Sequence, residues 1–206
     1  MNTRKNLDAR ARILEIANRL FYSEGVRATG IEKIIAMSDV AKATFYHHFE
    51  SKDVLVAAYL ERRDESFWEY LSTPDPPGTL LEAIARIDRL VNHPDVTSCP
   101  FLRIASEYPD PDHTFHRSVR EHKEKLRAYL GELLRAEGHE RQSLGDELLT
   151  LIDGALSVRL VYGTSRQVPL LSYAETLIKA SAKAVSQGRV EPVTQSPTER
   201  KFKRRS

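Results

Sequence analysis

The hydrophobic positions of this chain recur with the period of an α-helix from its first segment to its last. Near the N-terminus, Ile13, Ile16, Leu20 and Phe21 are spaced three, four and one residues apart, which places them on one face of a helix. Gly25 follows, and glycine is a typical residue at which a helix ends. Alternating patterns typical of strands are scarce, so the sequence predicts an all-α fold.

The next segment is predicted to form two short helices and a long one. The first short helix covers about 31–37 with Thr29 as its N-cap, and the second covers about 42–48. Ser51 is the predicted N-cap of the long helix, which covers about 52–71.

Proline and glycine mark the boundaries of the remaining helices. The segment STPDPPG at 72–78 cannot continue a helix, because proline lacks an amide hydrogen and clashes with the preceding turn. Asp110 followed by Pro111 predicts an N-cap with proline at the first helical position. The total is about nine helices and no sheet, the last five covering about 79–92, 100–107, 111–137, 144–163 and 170–187.

The net charge of +2 hides an uneven distribution. Residues 1–60 hold 9 Lys and Arg against 7 Asp and Glu, residues 61–187 hold 16 against 20, and residues 188–206 hold 6 against 2. The chain thus has basic terminal segments and an acidic central one. This distribution is compatible with a protein that binds a polyanion at one end. Many proteins without a nucleic-acid role share this unevenness, so the charge alone does not assign a function.

Composition and motifs exclude several classes. No apolar run approaches the roughly 20 residues of a membrane span, and the N-terminus lacks the apolar stretch of a secretory signal, so we expect a cytoplasmic protein. Cys99 is the only cysteine, which excludes an internal disulfide and a cysteine-based zinc site. There is no Walker-type glycine loop, G-x-S-x-G elbow or H-E-x-x-H motif, so we expect neither enzyme activity nor a cofactor.

The two short helices at about 29–49 have the spacing of a helix-turn-helix. The major groove of B-DNA is about 12 Å wide and admits one helix, while the preceding helix spans the backbone. Val40, in the turn, is predicted to pack inward, and Phe45 and Phe49 give the second helix an inward face. The polar side chains left for base edges and phosphates are Lys42, Thr44, Tyr46, His47 and His48.

Three motifs carry a family resemblance: T-G-I-E-K-I-I (29–35), V-A-K-A-T-F-Y-H-H-F (40–49) and S-K-D-V-L (51–55). With them, the stretch 10–60 strongly resembles the DNA-binding domain of TetR-family repressors, and 151–163 resembles the dimerising region of the same family. The resemblance implies phosphate or backbone contacts by Thr29, Tyr46, His48 and Lys52. It implies base contacts by Lys42, Ala43, Thr44 and His47.

Two positions depart from the family pattern, and several residues have a second interpretation. The turn usually carries glycine where Asp39 stands, and the recognition helix is usually capped by serine where Ala41 stands, which costs about 1 kcal/mol of capping. Tyr46 is otherwise a half-buried aromatic, and the histidines and Lys52 are otherwise ordinary surface residues.

The last two predicted helices are suited to dimerisation. Both are apolar over a wide arc, and Gly154 and Ala155 permit close approach, so that two chains would form a four-helix interface. A dimer reads two half-sites about 34 Å apart, and therefore far more sequence than one head reads. The alternative is that both helices lie inside a core.

By the same resemblance, the body between 66 and about 141 holds an effector pocket. Cys99 is either a thiol sensor or an inert small hydrophobe. Glu107, Asp112, His113 and His116 suggest a metal cluster, but acids and histidines are common in capping, so we favour no metal. The candidate lining residues, which core packing explains equally well, are Phe67, Trp68, Cys99, Phe101, Tyr108 and Phe115.

The sequence therefore predicts three segments. Residues 1–51 form a helix-turn-helix DNA-binding domain, 52–187 a helical effector-binding and dimerisation domain, and 188–206 a basic, disordered tail. The predicted protein is a ligand-responsive transcriptional regulator, with repression favoured, that binds a palindromic operator as a homodimer. By family analogy, a small molecule releases it by favouring a wrong spacing of the two heads. The rival is a helical enzyme or ligand carrier with a vestigial helix-turn-helix.

Overall fold

The structure is a computed structural model that describes residues 8–139, 141 and 143–186, with side chains described up to Ser181. Within these residues there are nine α-helices and one 3-10 turn (Gly163–Ser165), and no strand, which confirms the predicted fold class. The predicted tail 188–206 lies outside the described residues. The helices are α1 (Ala9–Glu24), α2 (Ile31–Ser38), α3 (Lys42–His48), α4 (Lys52–Ser72), α5 (Leu80–Val91), α6 (Pro100–Glu107), α7 (Thr114–Ala136), α8 (Leu144–Tyr162) and α9 (Leu170–Ser186).

Side-chain caps set several of the helix starts. The Asp8 carboxylate accepts the Ala11 amide at 2.7 Å, and the Ser51 hydroxyl accepts the Val54 amide at 3.2 Å, which confirms Ser51 as the cap of α4. Thr79 and Glu82 form a reciprocal capping box at the start of α5.

Two predicted helix starts are wrong. Gly30, not Thr29, is the N-cap of α2; the Thr29 side chain is fully buried and donates to the Gly25 carbonyl at 2.7 Å. α7 begins at Thr114 instead of Pro111. The Asp110 carboxylate accepts the Asp112 amide at 3.0 Å, and this local turn delays the helix.

Two hydrophobic cores hold the fold together, and α4 contributes to both. The first core joins α1–α3, which we call the head, to the first half of α4, to α6 and to the start of α7. The second core joins α5, α7, α8 and α9 to the end of α4, and we call α4–α9 the body. Because Leu55 and Leu60 of α4 lie in the first core, the head is packed firmly on the body. No described helix has the length and apolar character needed to cross a bilayer.

A fully buried arginine ties the body together. The Arg159 side chain of α8 has no exposed surface, and its guanidinium donates to the carbonyls of His93, Val96 and Arg166 at 3.0–3.2 Å. These carbonyls belong to the α5–α6 connection and to the segment after α8. One side chain thus binds three backbone carbonyls outside the helices, and two of them, those of Val96 and Arg166, depend on it for a donor, since the His93 carbonyl also accepts the Val96 amide at 3.0 Å.

Candidate DNA-binding surface and effector cavity

The turn between α2 and α3 has a left-handed backbone conformation at Asp39, the position where the family usually carries glycine. Asp39 has φ 52° and ψ 53°, in the left-handed region. Glycine adopts this region without steric strain, and Asp is tolerated there better than most residues. Ala41 is the N-cap of α3 and supplies no side-chain hydrogen bond. The turn therefore keeps the expected shape without the glycine and serine usual in the family.

The inward face of α3 is anchored in the head. Phe45 and Phe49 are buried with ring centroids 6.2 Å apart, and Val40 packs half-buried against the same core. The Arg10 guanidinium lies 5.3 Å from the centre of the Phe49 ring. These contacts fix α3 and leave its opposite face to solvent.

The residues predicted to face bases lie on that outer surface. Lys42, Ala43 and His47 are exposed, and Thr44 is half-buried. Lys42 donates to Glu32 of α2 at 2.7 Å, and this hydrogen bond raises the pKa of Lys42. The surface therefore carries an acidic group beside its first basic one, and Lys42 must leave Glu32 in order to reach DNA.

The predicted backbone contacts divide into available and unavailable residues. Tyr46 is 41% exposed, and His48 and Lys52 are half-buried at the edge of the same surface. Partial burial lowers the pKa of Lys52. Thr29 has no exposed surface and its hydroxyl is engaged by Gly25, so it cannot contact a phosphate in this conformation.

A cavity of about 190 Å³ lies in the body, lined by residues of α4, α5, α6, α7 and α8 and by Tyr22 of α1. Most of its wall is aliphatic or aromatic. The apolar lining residues are Phe67, Ile87, Leu90, Val91, Val96, Pro100, Phe101, Leu126, Ile152 and Leu156.

Of the six predicted lining residues, Phe67, Cys99 and Phe101 line this cavity. That they bind a ligand stays a prediction. The other three lie elsewhere, because local partners hold them. The Trp68 indole donates to Asp64 at 2.9 Å, away from the cavity. Tyr108 and Phe115 pack edge to face against each other, their ring centroids 5.0 Å apart, in the first core beneath the head.

The polar part of the cavity wall was missed by sequence reasoning. Tyr22, Arg63, Ser98 and Lys123 all line it. Arg63 precedes Phe67 by four residues and therefore shares its helix face, a signal that could have identified it. Tyr22 belongs to the head in sequence, and no local pattern could have placed it in the body's cavity.

Cys99 is part of the cavity wall at the N-cap of α6. Burial raises the pKa of its thiol, although the Lys123 ammonium lies 3.8 Å from the sulfur. Lys123 is already ion-paired with Asp153. A thiol held protonated in this way is a poor nucleophile, which favours the inert interpretation of Cys99 over the sensor.

Three of the four residues considered for a metal cluster make separate local contacts. The Glu107 carboxylate accepts the Arg27 amide, the His116 imidazole bonds the Tyr108 carbonyl, and His113 caps α7. In the part of the chain that the structure describes, no three metal-ligating side chains converge.

Contacts between α6 and the head connect the cavity to the DNA-binding surface. The Tyr22 hydroxyl accepts the amides of Thr97 and Ser98 at 2.9 and 3.1 Å, and Arg103 donates to the Tyr22 carbonyl at 2.6 Å. At the far end of α6, the Glu107 carboxylate accepts the Arg27 amide at 2.7 Å. Both ends of α6 are thus bound to the segment that carries α1 into α2.

The outer side of α8 and α9 is apolar and exposed. Four of the nine large hydrophobic side chains that are exposed among the described residues lie there: Leu160, Val161, Tyr162 and Tyr173. A shallow groove, which Tyr173 lines, runs between the two helices, and we call this groove together with the four exposed side chains the α8–α9 face. Ala155, predicted at a close approach, is largely buried in the second core. The groove is lined mainly by Leu151, Gly154, Ala155, Val158, Tyr173, Thr176, Leu177 and Ala180.

A helix-turn-helix head on a helical body with its own cavity is an arrangement that suits a DNA-binding regulator. Residues 13–59 match the family described as bacterial regulatory proteins, tetR family. The match confirms, over the DNA-binding segment, the resemblance to the TetR family that the three motifs indicated.

Similar proteins agree with this assignment. The HTH-type transcriptional repressor NemR of Escherichia coli (strain K12) is 23% identical over 117 residues, which cover 53% of this chain and 59% of that protein. The HTH-type transcriptional repressor Rv3405c of Mycobacterium tuberculosis (strain H37Rv) is 29% identical over 100 residues, covering 48% and 53%. The matches thus span little more than half the length of these curated relatives.

The solved structures extend the similarity to the body. The crystal structure of SCO4454, a TetR-family transcriptional regulator from Streptomyces coelicolor, has a TM-score of 0.71 and 29% sequence identity. The match covers 89% of this chain and 91% of that one. The likeness therefore includes the helices around the cavity and the α8–α9 face.

Proposed function

We propose that this protein is a cytoplasmic repressor that binds palindromic operator DNA as a homodimer and is released when a small molecule occupies the cavity. The observation that carries the proposal is α3, a helix anchored by Phe45 and Phe49 with its polar face open to solvent. A helix presented in this way fits the major groove. The repressors among its relatives support the sign of regulation.

The proposed DNA contacts are the accessible members of the predicted set. The proposed contacts to base edges, made from the recognition helix α3, are Lys42, Ala43, Thr44 and His47. Tyr46, His48 and Lys52 flank it as backbone contacts, and the free amides at the start of α4 add to Lys52. Thr29 is left out because it is buried.

The proposed dimer uses the α8–α9 face. The exposure of large apolar side chains to water is unfavourable, and a second copy of the same face would cover Val161, Tyr162 and Tyr173. Gly154 lies at the surface of α8, where a Cβ would meet nothing within 4 Å, so another helix can approach it closely. Two helices from each chain would then form a four-helix interface.

The proposed release works through α6. Ser98, Cys99 and Phe101 at its start line the cavity, and Glu107 at its end holds the Arg27 amide in the head. A ligand that binds better to a shifted α6 therefore favours a different head orientation, and the two heads no longer match the operator spacing.

Replacing Tyr46 or Lys52 with alanine should weaken DNA binding by about tenfold on every sequence, because phosphate contacts carry no sequence information. Lys52→Ala should also reduce the salt slope by about one. His47→Ala should instead change the preference at particular base pairs. Fluorescence anisotropy on a panel of single-base operator variants measures all three.

The matched control is Arg135→Ala, which removes an exposed positive charge in the body. Its DNA affinity should stay within about twofold of the wild type, because surface charges far from the duplex are screened. Equal losses for Arg135→Ala and Lys52→Ala would contradict the proposed surface. A uniform loss for His47→Ala would make it a backbone contact.

Glu107→Ala should loosen the loop between α1 and α2. The Arg27 amide loses a charge-assisted acceptor, so its hydrogen exchange should accelerate by about tenfold while that of α8 is unchanged. Exchange followed by mass spectrometry or NMR checks this, with Glu132→Ala on the exposed side of α7 as the control. Unchanged exchange at Arg27 would remove Glu107 from the proposed link.

A further inference from the structure

We propose that the cavity binds a compact organic anion: a carboxylate attached to an apolar body of about one ring. The inference rests on the proposed function and adds the chemical class of its effector. It is carried by an arginine and a buried serine with unused hydrogen-bonding groups in the wall of a mostly apolar cavity.

Arg63 supplies the positive charge. Its guanidinium carbon lies 4.5 Å from the centre of the Tyr22 ring and 5.5 Å from that of the Tyr59 ring, so the two phenol rings hold it in place. Its Nε is buried and has no hydrogen-bond partner among the described residues. No carboxylate of the described residues forms an ion pair with Arg63 either, although this half-buried side chain is partly removed from water.

Ser98 is the second, independent observation. Its side chain is 2% exposed, it lines the cavity, and its hydroxyl has no hydrogen-bond partner among the described residues. The Ser98 amide donates to the Tyr22 hydroxyl at 3.1 Å, and the ring of the same tyrosine lies beneath Arg63. Ser98 and Arg63 therefore flank one tyrosine, and a ligand carboxylate placed there would satisfy both.

The other charged groups of the cavity do not compete for this role. Lys123 is ion-paired with Asp153, so its charge is already compensated. The His122 imidazole bonds Asp64 at 2.7 Å and stacks on Phe101, and burial lowers its pKa, so it is neutral at pH 7. None of the described lining residues is acidic. The cavity thus holds one uncompensated positive charge, which an anion matches and a cation does not.

The size of the cavity limits the apolar part of the ligand. A cavity of about 150 Å³ lined by apolar side chains accepts benzene, and this one is about 190 Å³. A single six-membered ring with a short acidic group therefore fits without rearrangement. The aliphatic side chains of α5 and α8 form the surface against which such a ring would pack.

The test is calorimetric titration of the full chain with benzoate, phenylacetate and cyclohexanecarboxylate, each compared with its own uncharged amide. At least one acid should bind with a Kd below about 1 mM and about tenfold more tightly than its amide, because a charge-assisted bond to arginine is lost in the amide. Arg63→Gln should reduce that ratio to about one. Ser98→Ala should weaken the acid by about threefold.

The matched control is Arg62→Gln, which removes the neighbouring exposed arginine of α4 and should leave the acid-to-amide ratio unchanged. Equal binding of acid and amide to the wild type overturns the proposal, and so does failure of all three acids to bind. The wild-type comparison needs no variant, so it holds even if Arg63→Gln fails to fold.

Anisotropy with operator DNA separates this inference from the proposed function. Acids that bind the cavity without releasing DNA support the anion site and contradict release by the cavity ligand. A specific DNA complex together with no acid binding contradicts the anion site alone. Acid binding by a chain that forms no specific DNA complex contradicts the repressor and leaves the anion site supported.

Discussion

Gly154→Glu should turn the dimer into a monomer and reduce operator affinity by at least about 100-fold, because linking two heads adds at least that factor of avidity. The position lies on the exposed side of α8, where a Cβ would meet nothing within 4 Å of the isolated chain. The glutamate therefore has space in the monomer. In the proposed four-helix interface it would bring two charges between closely approaching helices.

The matched control is Gly131→Glu on α7, whose Cβ would lie 3.6 Å from the Arg135 guanidinium, where a glutamate is favourable. Light scattering after gel filtration gives the mass of each variant, and anisotropy gives its affinity. Gly131→Glu should remain a dimer with wild-type affinity. A Gly154→Glu variant that also remains a dimer with unchanged affinity would place the dimer interface elsewhere.

Arg159→Leu should lower the free energy of unfolding by about 3 kcal/mol, the second large effect that we expect. The carbonyls of Val96 and Arg166 would lose their donor, while that of His93 keeps the Val96 amide, and burying an unsatisfied carbonyl costs about 1–3 kcal/mol. Urea unfolding measured at a fixed protein concentration gives the value, because dimerisation contributes to the apparent stability.

Arg135→Leu, at an exposed position of α7, serves as the control and should change stability by less than about 0.5 kcal/mol. A loss below about 1 kcal/mol for Arg159→Leu would show that water satisfies the carbonyls in the variant. The connection between α5 and α6 would then owe little of its order to this side chain.

Local sequence signals predicted the helices well. The observed span of α6, Pro100–Glu107, matches the predicted one, and Pro100 occupies an N-terminal helical position where its missing amide hydrogen is not needed. The predicted start of α7 was wrong because two local signals competed. Asp110 and Pro111 favour a helix start, but the Asp110 carboxylate closes a turn onto Asp112 first.

The head was predicted more completely than the cavity, and the reason is sequence separation. Phe45 and Phe49 are about one helical turn apart, so their spacing alone predicts which face of α3 points inward. The remaining positions of α3 then form its outer face. Tyr22 and Ser98 are 76 residues apart and meet only in the folded chain. Aromatic residues suggested the pocket, but local partners hold Trp68 away from it.

Thr29 shows the limit of carrying a role over by resemblance. The motif aligns Thr29 with the position that contacts a phosphate in the family. In this structure its hydroxyl donates to the Gly25 carbonyl and its side chain is fully buried. Burial depends on how α1 packs on α2, which a short motif does not specify.

Anisotropy with the DNA flanking the protein's own gene shows whether α3 reads a specific DNA sequence. We expect a complex of two chains per duplex, at least about 1,000-fold tighter than on scrambled DNA of the same length, with an affinity that falls steeply as salt increases. Equal affinity for flanking and scrambled DNA, or no salt-sensitive complex at all, would contradict that expectation.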